Sequence, residues 1–526
     1  MSTNLRHIPK LEYSGLTIVL SHPSRFDLKN DFLLSANGGH YLLQELLWPQ
    51  GITRYNCDIR LADSFKEPLL PNTKMVLLLG TKAMTLWLPE SIVRENKLDN
   101  LRGSPYTING VVHISSYSPQ DAIDRQNWES QMNPDMIDWL EAEILKKQDS
   151  DPLSAKKRKG LTFRANYRFW LKKDVEKALK ILHQYGGVVP NEDAQTKYSI
   201  YPSVADACSL LRSAKGKHLY FDMETDIASG RMTCFAFGYD TTQIMVVPIV
   251  LPSYQLAYSE FGLCQVLQAL AYAINANTLV AYNGACFDFF ILAWKYRIPF
   301  SHKLYDPIIA HHRCFPMVEK SLGHAMSLWT YETYHKDEAQ FAFGNREQAE
   351  NLWAYCGKDV NGMIKVHKAI DAYAHTIPGL ESSIQRAMDS IYPYLLTTLN
   401  GIAYRAEKVV QMMAENDRLA MNYLRIIEWF VGEEAWSKLK KKSKKAMPTS
   451  NAQCVTYFHD MLGYKIIKRS KKSGKPSLDE KAMLKLKLLH DNPVIDLCIA
   501  YRGAIKETGS LKFIPWSIDN RQMLNL

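Results

Sequence analysis

Short apolar runs alternate with amphipathic stretches through roughly the first 380 residues, and long helical patterns follow them. "LTIVLSH" (16–22), "TKMVLLLG" (73–80) and "INGVVHISSYSP" (108–119) are apolar runs of strand length. "GGHYLLQELLW" (38–48) repeats its leucines at helical spacing. This rhythm predicts an α/β domain with a partly parallel sheet over residues 1–147. The polar stretch "KKQDSDPLSAKKRKG" (146–160) carries the helix breaker Pro152 and ends in a basic cluster, so residues 148–195 read as a basic linker and connecting helix.

A second α/β unit is predicted over residues 196–378. "SVADACSLLRSA" and "FGLCQVLQALAYAIN" read as helices, and "KHLYFDME", "MTCFAFGYD", "QIMVVPIVL" and "NTLVAYNG" as strands. Helical segments then run from 284 to about 375. Residues 379–526 are mainly helical in pattern, broken by the lysine run 438–445. A chain of 526 residues is too long for one core, and the expectation is a multidomain α/β protein.

A hydrophobic content of 46% belongs to a globular chain. No apolar stretch approaches the length of a membrane span, and "MSTNLRHIPKLEYSG" lacks the apolar centre of a secretory signal. Nine cysteines stand singly with no C-x-x-C pair, which argues against a disulfide framework or zinc site and for a reducing cytoplasm. The formal charge of +10 is uneven. Residues 381–526 hold 24 Lys and Arg against 15 Asp and Glu, a surplus of 9 that leaves the rest near neutral. Such a surplus suits either a solvated helical face or a nucleic-acid partner.

Chemistry enters with "HLYFDMETD" (218–226), an apolar strand that ends in acids. Asp222 and Glu224 are two apart, so on a strand they share a face. Alone, D-x-E is a common solvated strand end. "TLVAY" then leads into "NGACFD", which sets Asp288 just past a strand terminus. In "NLWAYCGKD", Tyr355 and Asp359 lie four apart on one helical face. Carboxylates gathered in one cleft stay ionised only with a cation among them. Hard divalent ions meet that need, and a pair of them suits in-line displacement at phosphorus.

"FDMET", "NGACFD" and "YCGKD", in this order, resemble the D-x-E, N-x₃-F-D and Y-x₃-D motifs of the DEDDy 3′→5′ exonucleases. The stretch 304–337 is similar to the one joining the second and third motifs in the proofreading domain of family A DNA polymerases. The resemblance implies an RNase H-like exonuclease domain with a mixed sheet and two divalent ions, Mg²⁺ or Mn²⁺. It further implies that Asp222 bridges both metals, that Glu224 and Asp359 hold the water-activating one, and that Asp288 serves the second. Tyr355 would orient the attacking water, and Thr225 and Asn283 would touch the terminal nucleotide. A phenol is a poor base at neutral pH, so the metal must lower the pKa of the water.

Residues 16–125 resemble, more faintly, the uracil-DNA glycosylase superfamily through "VLLLGTKAM" (76–84) and "LRGSPYTINGVVHISSYSP" (101–119). Ser118-Pro119 stands where that family has His-Pro, and "SHPSRFD" (21–27) does not match its water-positioning loop, which predicts a glycosylase-like fold without the activity. Residues 380–515 resemble the segment that links exonuclease to palm in family A polymerases, including the thumb. That resemblance assigns Lys441, Lys442, Lys444, Lys445, Lys465, Lys468, Arg469, Lys471 and Lys472 to the DNA backbone.

The chain ends at "DNRQMLNL", where a palm would begin. The expectation is an editing exonuclease acting on single-stranded 3′ ends and primer–template. It would work either with a separate palm–fingers subunit from a split gene or as part of a longer polymerase. The other readings are a DNA-binding scaffold subunit with an idle nuclease cleft and a base-excision enzyme using the N-terminal domain.

Overall fold

The computed structural model describes residues 6–35, 39–94, 96–119, 152–190, 196–226, 229–300, 303–333, 345–441, 447–469, 474–511 and 521–522. The chain divides into two units, residues 1–395 and 396–526.

The first unit holds two sheets. The first is built from β1 (Leu16–Leu20), β2 (Asp58–Leu61), β3 (Met75–Leu79), β4 (Pro105–Ile108) and β5 (Val111–Ser116), in the order β2-β1-β3-β5-β4. Only the β4–β5 pair is antiparallel. Every residue of β1 and β3 is buried. Packing layers cover both faces, and such strands read as continuous apolar runs. Leu16, Ile18 and Leu20 pack with Leu171, Val175 and Ile181 of the long helix α1 (Pro152–Gln184), while Val19, Val76 and Leu78 pack with Ala83 and Met84. β2 escapes sequence patterning because it carries Asp58 and Arg60, both fully buried and joined at 2.5 Å. The leucines of 38–48 form a π-helical turn at Leu42–Leu47.

Helix α1 begins at Pro152, inside the stretch 146–160 that reads in sequence as a linker. Pro152 opens the helix, where a missing N–H and a preset φ cost nothing. Further along, α1 fastens the first sheet to the second part of the unit. The buried Arg102 guanidinium pairs with Asp174, its Nε 2.9 Å from Oδ2, donates to Ser327 Oγ at 3.1 Å and lies 3.8 Å from the Trp170 ring centroid. The Lys177 ammonium donates to the carbonyls of Gly103 at 2.9 Å, Thr330 at 2.7 Å, and Ser327. Cations suit the exposed carbonyls that end a helix, here Leu322–Trp329.

The second sheet contains β6 (Lys197–Ile200), β7 (His218–Thr225), β8 (Met232–Gly238), β9 (Gln243–Pro248), β10 (Thr278–Val280) and β11 (Leu304–Tyr305), in the order β11-β10-β7-β8-β9-β6. It is mixed: β8 runs antiparallel to its neighbours β7 and β9, and the remaining pairs are parallel. β10 leads by a loop into α2 (Asp288–Trp294), and β11 leads into α3 (Pro307–Cys314). The 29-residue α4 (Arg346–Ala374) covers one face through Trp353, Cys356, Val360 and Ile364. Phe221, Phe235 and Phe237 fill the opposite face, with the Phe221 and Phe235 rings stacked at 5.6 Å. Cutting one of them to alanine costs about 3–5 kcal/mol on the scale of buried aromatics.

The second unit is helical. α5 (Ala406–Val431) and α6 (Pro493–Leu511) pack together at Ala420, Tyr501 and Ala504. A core of Ile427, Trp436, Phe458, Met483, Leu486 and Ile495 holds the rest, and Ile402–Ala403 pairs with Arg521–Gln522 in a short antiparallel ribbon. Among the described residues no helix is long and apolar enough to cross a membrane.

Candidate active site

The β7–β8 register pairs Asp222 with Ala236 and Glu224 with Cys234. Directly paired residues share a face, and Ala236 and Cys234 lie under α4. Asp222 and Glu224 therefore project toward α4, beside a register shift at Glu224/Thr225 that marks the end of regular pairing. What α4 presents there sets the chemistry.

It presents Tyr355, Cys356 and Asp359. The i,i+4 spacing brings the buried Tyr355 phenol to the buried Asp359 carboxylate, with which it hydrogen-bonds. Burial first, then the charges of Asp359, Glu224 and Asp222, push the phenol's pKa far above its ordinary value. Three carboxylates thus act on one hydroxyl, which stays neutral. The Cys356 thiol lies 3.4 Å from Asp222 Oδ2 and 3.6 Å from the Asp222 carbonyl oxygen, and burial keeps it protonated, able to donate to either.

Asp288 is the first residue of α2 and is almost completely buried. Burial, then the charge of Asp222, raises its pKa well above the usual carboxylate range, offset in part by the backbone N–H groups of Asp288 and Met223. Its Oδ1 is buried and has no hydrogen-bond partner among the described residues. An orphaned buried acceptor costs about 1–3 kcal/mol and asks for a reason. Among the described residues no three His, Cys, Asp or Glu side chains close into a ready-made metal-binding group. The donor set nevertheless fits a hard cation: all oxygen, Asp288 with its pKa raised by burial and then by the neighbouring Asp222 charge, and one carboxylate oxygen without a partner among the described residues.

Thr225 ends β7, half-buried, and Asn283 is exposed in the loop before α2 at φ +63°, a left-handed conformation that asparagine accepts better than most residues. Two residues near these acids carry no sequence signal strong enough to single them out. Cys356 was hidden between Tyr355 and Asp359. Asp306 announces itself only as an acid before Pro307, the pattern of a helix start.

Of the basic residues assigned to DNA, Lys441 and Lys465 are exposed. Lys468 is paired with Asp479 in an exposed pair, and Arg469 donates to the Gly474 carbonyl at 3.1 Å. A long cation beside an acid on its own surface is drawn to it first, which the sequence spacing did not reveal. Lys442, Lys444, Lys445, Lys471 and Lys472 lie outside the described residues. In the first sheet, Ser118 follows β5 and faces Gly80 at the end of β3. Gly80 has φ +94°, and a Cβ there would come within 2.5 Å of Ser21 Oγ and 3.4 Å of the Ser118 Cβ. The ends of three parallel strands thus meet over two serines.

No family model and no curated protein matches the chain. Solved structures similar to it include the POL domain of Pol1 from M. smegmatis in complex with DNA primer-template and dNTP. That likeness has 14% identity and a TM-score of 0.40, and covers 62% of this chain and 51% of that one. Another is the apo form of a nuclease, at 16% identity and a TM-score of 0.29 over 38% of this chain and 90% of that one. The chain thus spans about half the length of the polymerase structure it matches. Likeness at this level does not define a function.

Proposed function

We propose that the chain is a metal-dependent 3′→5′ DNA exonuclease that releases nucleoside 5′-monophosphates and edits for a family A DNA polymerase. The observation that carries this reading is the meeting of Asp222, Glu224 and Asp359 around the Tyr355 hydroxyl, with the buried Asp288 acted on by the Asp222 charge. The direction of cleavage and the link to a polymerase rest on the motif resemblance.

Two divalent ions, when bound, would supply the Lewis acidity that makes water nucleophilic and steadies the departing oxygen. Asp222 and Glu224 on β7, Asp288 on α2 and Asp359 on α4 are the residues to hold them. Tyr355, a neutral phenol, is a poor base, and its hydroxyl would orient the attacking water. Thr225 and Asn283, flanking these acids in sequence, are assigned to the terminal nucleotide. The basic surplus of residues 381–526 supports a grip on duplex backbone that leaves the 3′ end to the acids. A palm–fingers chain, or the remainder of a longer polypeptide, is the proposed partner.

The test is a 3′-labelled single-stranded oligonucleotide with Mg²⁺ or Mn²⁺ and with EDTA. Mononucleotide release that needs the metal and disappears in Asp222→Ala/Glu224→Ala supports the reading. Binding without release would leave a scaffold protein.

A further inference from the structure

The loop that delivers Asp288 is held by its own turns and by a carboxylate outside it. Between β10 and α2 it makes tight internal turns: Gly284 N–H to Ala281 O at 3.2 Å, Cys286 N–H to Asn283 O at 3.2 Å and Phe289 N–H to Gly284 O at 2.9 Å. Ala281 N–H goes outward to the Tyr305 carbonyl at 3.2 Å, and two further N–H groups of the loop go to one carboxylate. Asp306, fully buried after β11, accepts from Asn283 N–H at 2.9 Å through Oδ1 and from Ala285 N–H at 3.1 Å through Oδ2. The same Oδ1 accepts from Ile308 N–H at 3.1 Å and so caps α3.

We infer that Asp306 is a positioning residue for the nuclease site, fixing the 283–288 loop so that Asp288 meets Asp222. This rests on the nuclease reading above. A buried carboxylate is costly unless its lone pairs are used, and here both oxygens are spent on two chain segments, one of which is the approach to Asp288. Asn283, at φ +63°, is held in a conformation the backbone visits rarely, and the bond to Asp306 is what its N–H gains there. A helix cap alone would need one oxygen; the second serves the loop. Misplacing a ligand by an ångström is enough to cost roughly a hundredfold in rate.

The decisive variant is Asp306→Asn. Asparagine caps a helix as well as aspartate does, but its amide nitrogen replaces one acceptor and opposes a loop N–H. Asp306→Ser keeps the cap with a single short oxygen and serves as the second variant if the first unfolds. Four readouts apply to the full chain: thermal melting, amide exchange at Asn283 and Ala285, Mn²⁺ affinity by calorimetry, and exonuclease rate with its KM. The expected result is a near-native melt, lost protection at the Ala285 amide, Mn²⁺ binding weaker by about tenfold, and a rate lower by about a hundredfold at little-changed KM. In an Asp288→Ala background Asp306→Asn should weaken Mn²⁺ binding no further, because the effect runs through Asp288. Native Mn²⁺ affinity and rate in both variants, or losses that add to those of Asp288→Ala, overturn the inference while the wild-type enzyme still cleaves. A wild-type chain that releases no nucleotide overturns the nuclease reading itself, and this inference with it.

Discussion

The Cys356 thiol stands 3.4 Å from Asp222 Oδ2, on the covering helix rather than on the strand that carries the acid. Cys356 is fully buried, and its pKa is raised by that burial first. Thiolate is the reactive form of cysteine, so this one is inert while the protein is folded. Thiol-labelling reagent should reach Cys264 and Cys286, which are exposed, and spare Cys356 until denaturant is added. Cys356→Ala removes one donor from Asp222, and the rate of nucleotide release should fall by roughly three- to tenfold, the scale of one hydrogen bond. An unchanged rate would mean that Asp222 needs no help from α4.

Removing the acids is a different matter. Asp222→Ala/Glu224→Ala takes away ligands assigned to both ions and should lower the rate by about a thousandfold or more. The melting temperature without metal should hold or rise, because deleting carboxylates that repel one another relieves strain. A double variant that still cleaves at near the normal rate would sink the site assignment.

Tyr355→Phe should be milder, by roughly ten- to a hundredfold, since only the water's orientation is lost. Burial, then three carboxylates, raise the phenol's pKa, and burial opposes the phenolate even where bound ions offset the carboxylate charge. The pH–rate profile should therefore show no limb from Tyr355, and the variant's profile should have the wild-type shape at lower height. A wild-type limb near pH 10 that vanishes in Tyr355→Phe would show the phenolate taking part.

Sequence pattern carried the elements beneath these residues further than their contacts. β7 and α4 were legible because periods of 2 and 3.6 are local, and the same periods set Asp222 beside Glu224 and Tyr355 above Asp359. Cys356 meets Asp222 across 134 residues, and Asp306 reaches Ala285 across 21, distances at which no local period speaks. β6 was missed because its side chains are mostly exposed, so it lacks alternation, and β2 because its buried pair is ionic. Pro152 misled in the other direction: a helix breaker in the interior is a helix starter at the first turn.

Acid stability should be set in part by His311 and His367. His311 is fully buried and uses both nitrogens in the neutral form, Nε2 facing the Glu319 carbonyl at 3.2 Å and Nδ1 accepting from Trp329 Nε1–H at 2.8 Å. Burial lowers its pKa from 6.5 to about 4 and that of His367 to about 3. The folded state thus binds fewer protons than the unfolded state below pH 6.5. Stability from each is whole above that pH and is lost as pH falls toward 4 and below, by up to about 3 kcal/mol for His311. Melting curves should show this drop between pH 6.5 and 4, and His311→Gln, which does not titrate, should flatten it. An equal slope in the variant would remove His311 from the account.

Binding of DNA by the basic C-terminal part tests how the surface lysines are used. Lys465 is exposed, so if it touches phosphate its removal should weaken binding alike for every sequence. The dependence of log affinity on log salt should then become shallower by about one counterion. Lys468 is already neutralised by Asp479. An exposed pair of this kind holds by at most about 1 kcal/mol, so phosphate competes with the carboxylate for the ammonium. Asp479 also caps the helix Glu480–Leu489 through the Ala482 N–H, a duty asparagine performs equally well. Asp479→Asn should therefore leave the fold intact, free Lys468, remove a charge that repels phosphate, and tighten binding of a single-stranded oligonucleotide by roughly two- to fivefold at low salt. The gain should vanish in the double variant with Lys468→Ala and fade as salt rises. Equal affinities for the wild type and Asp479→Asn at low salt would mean that DNA does not pass this face of the second unit.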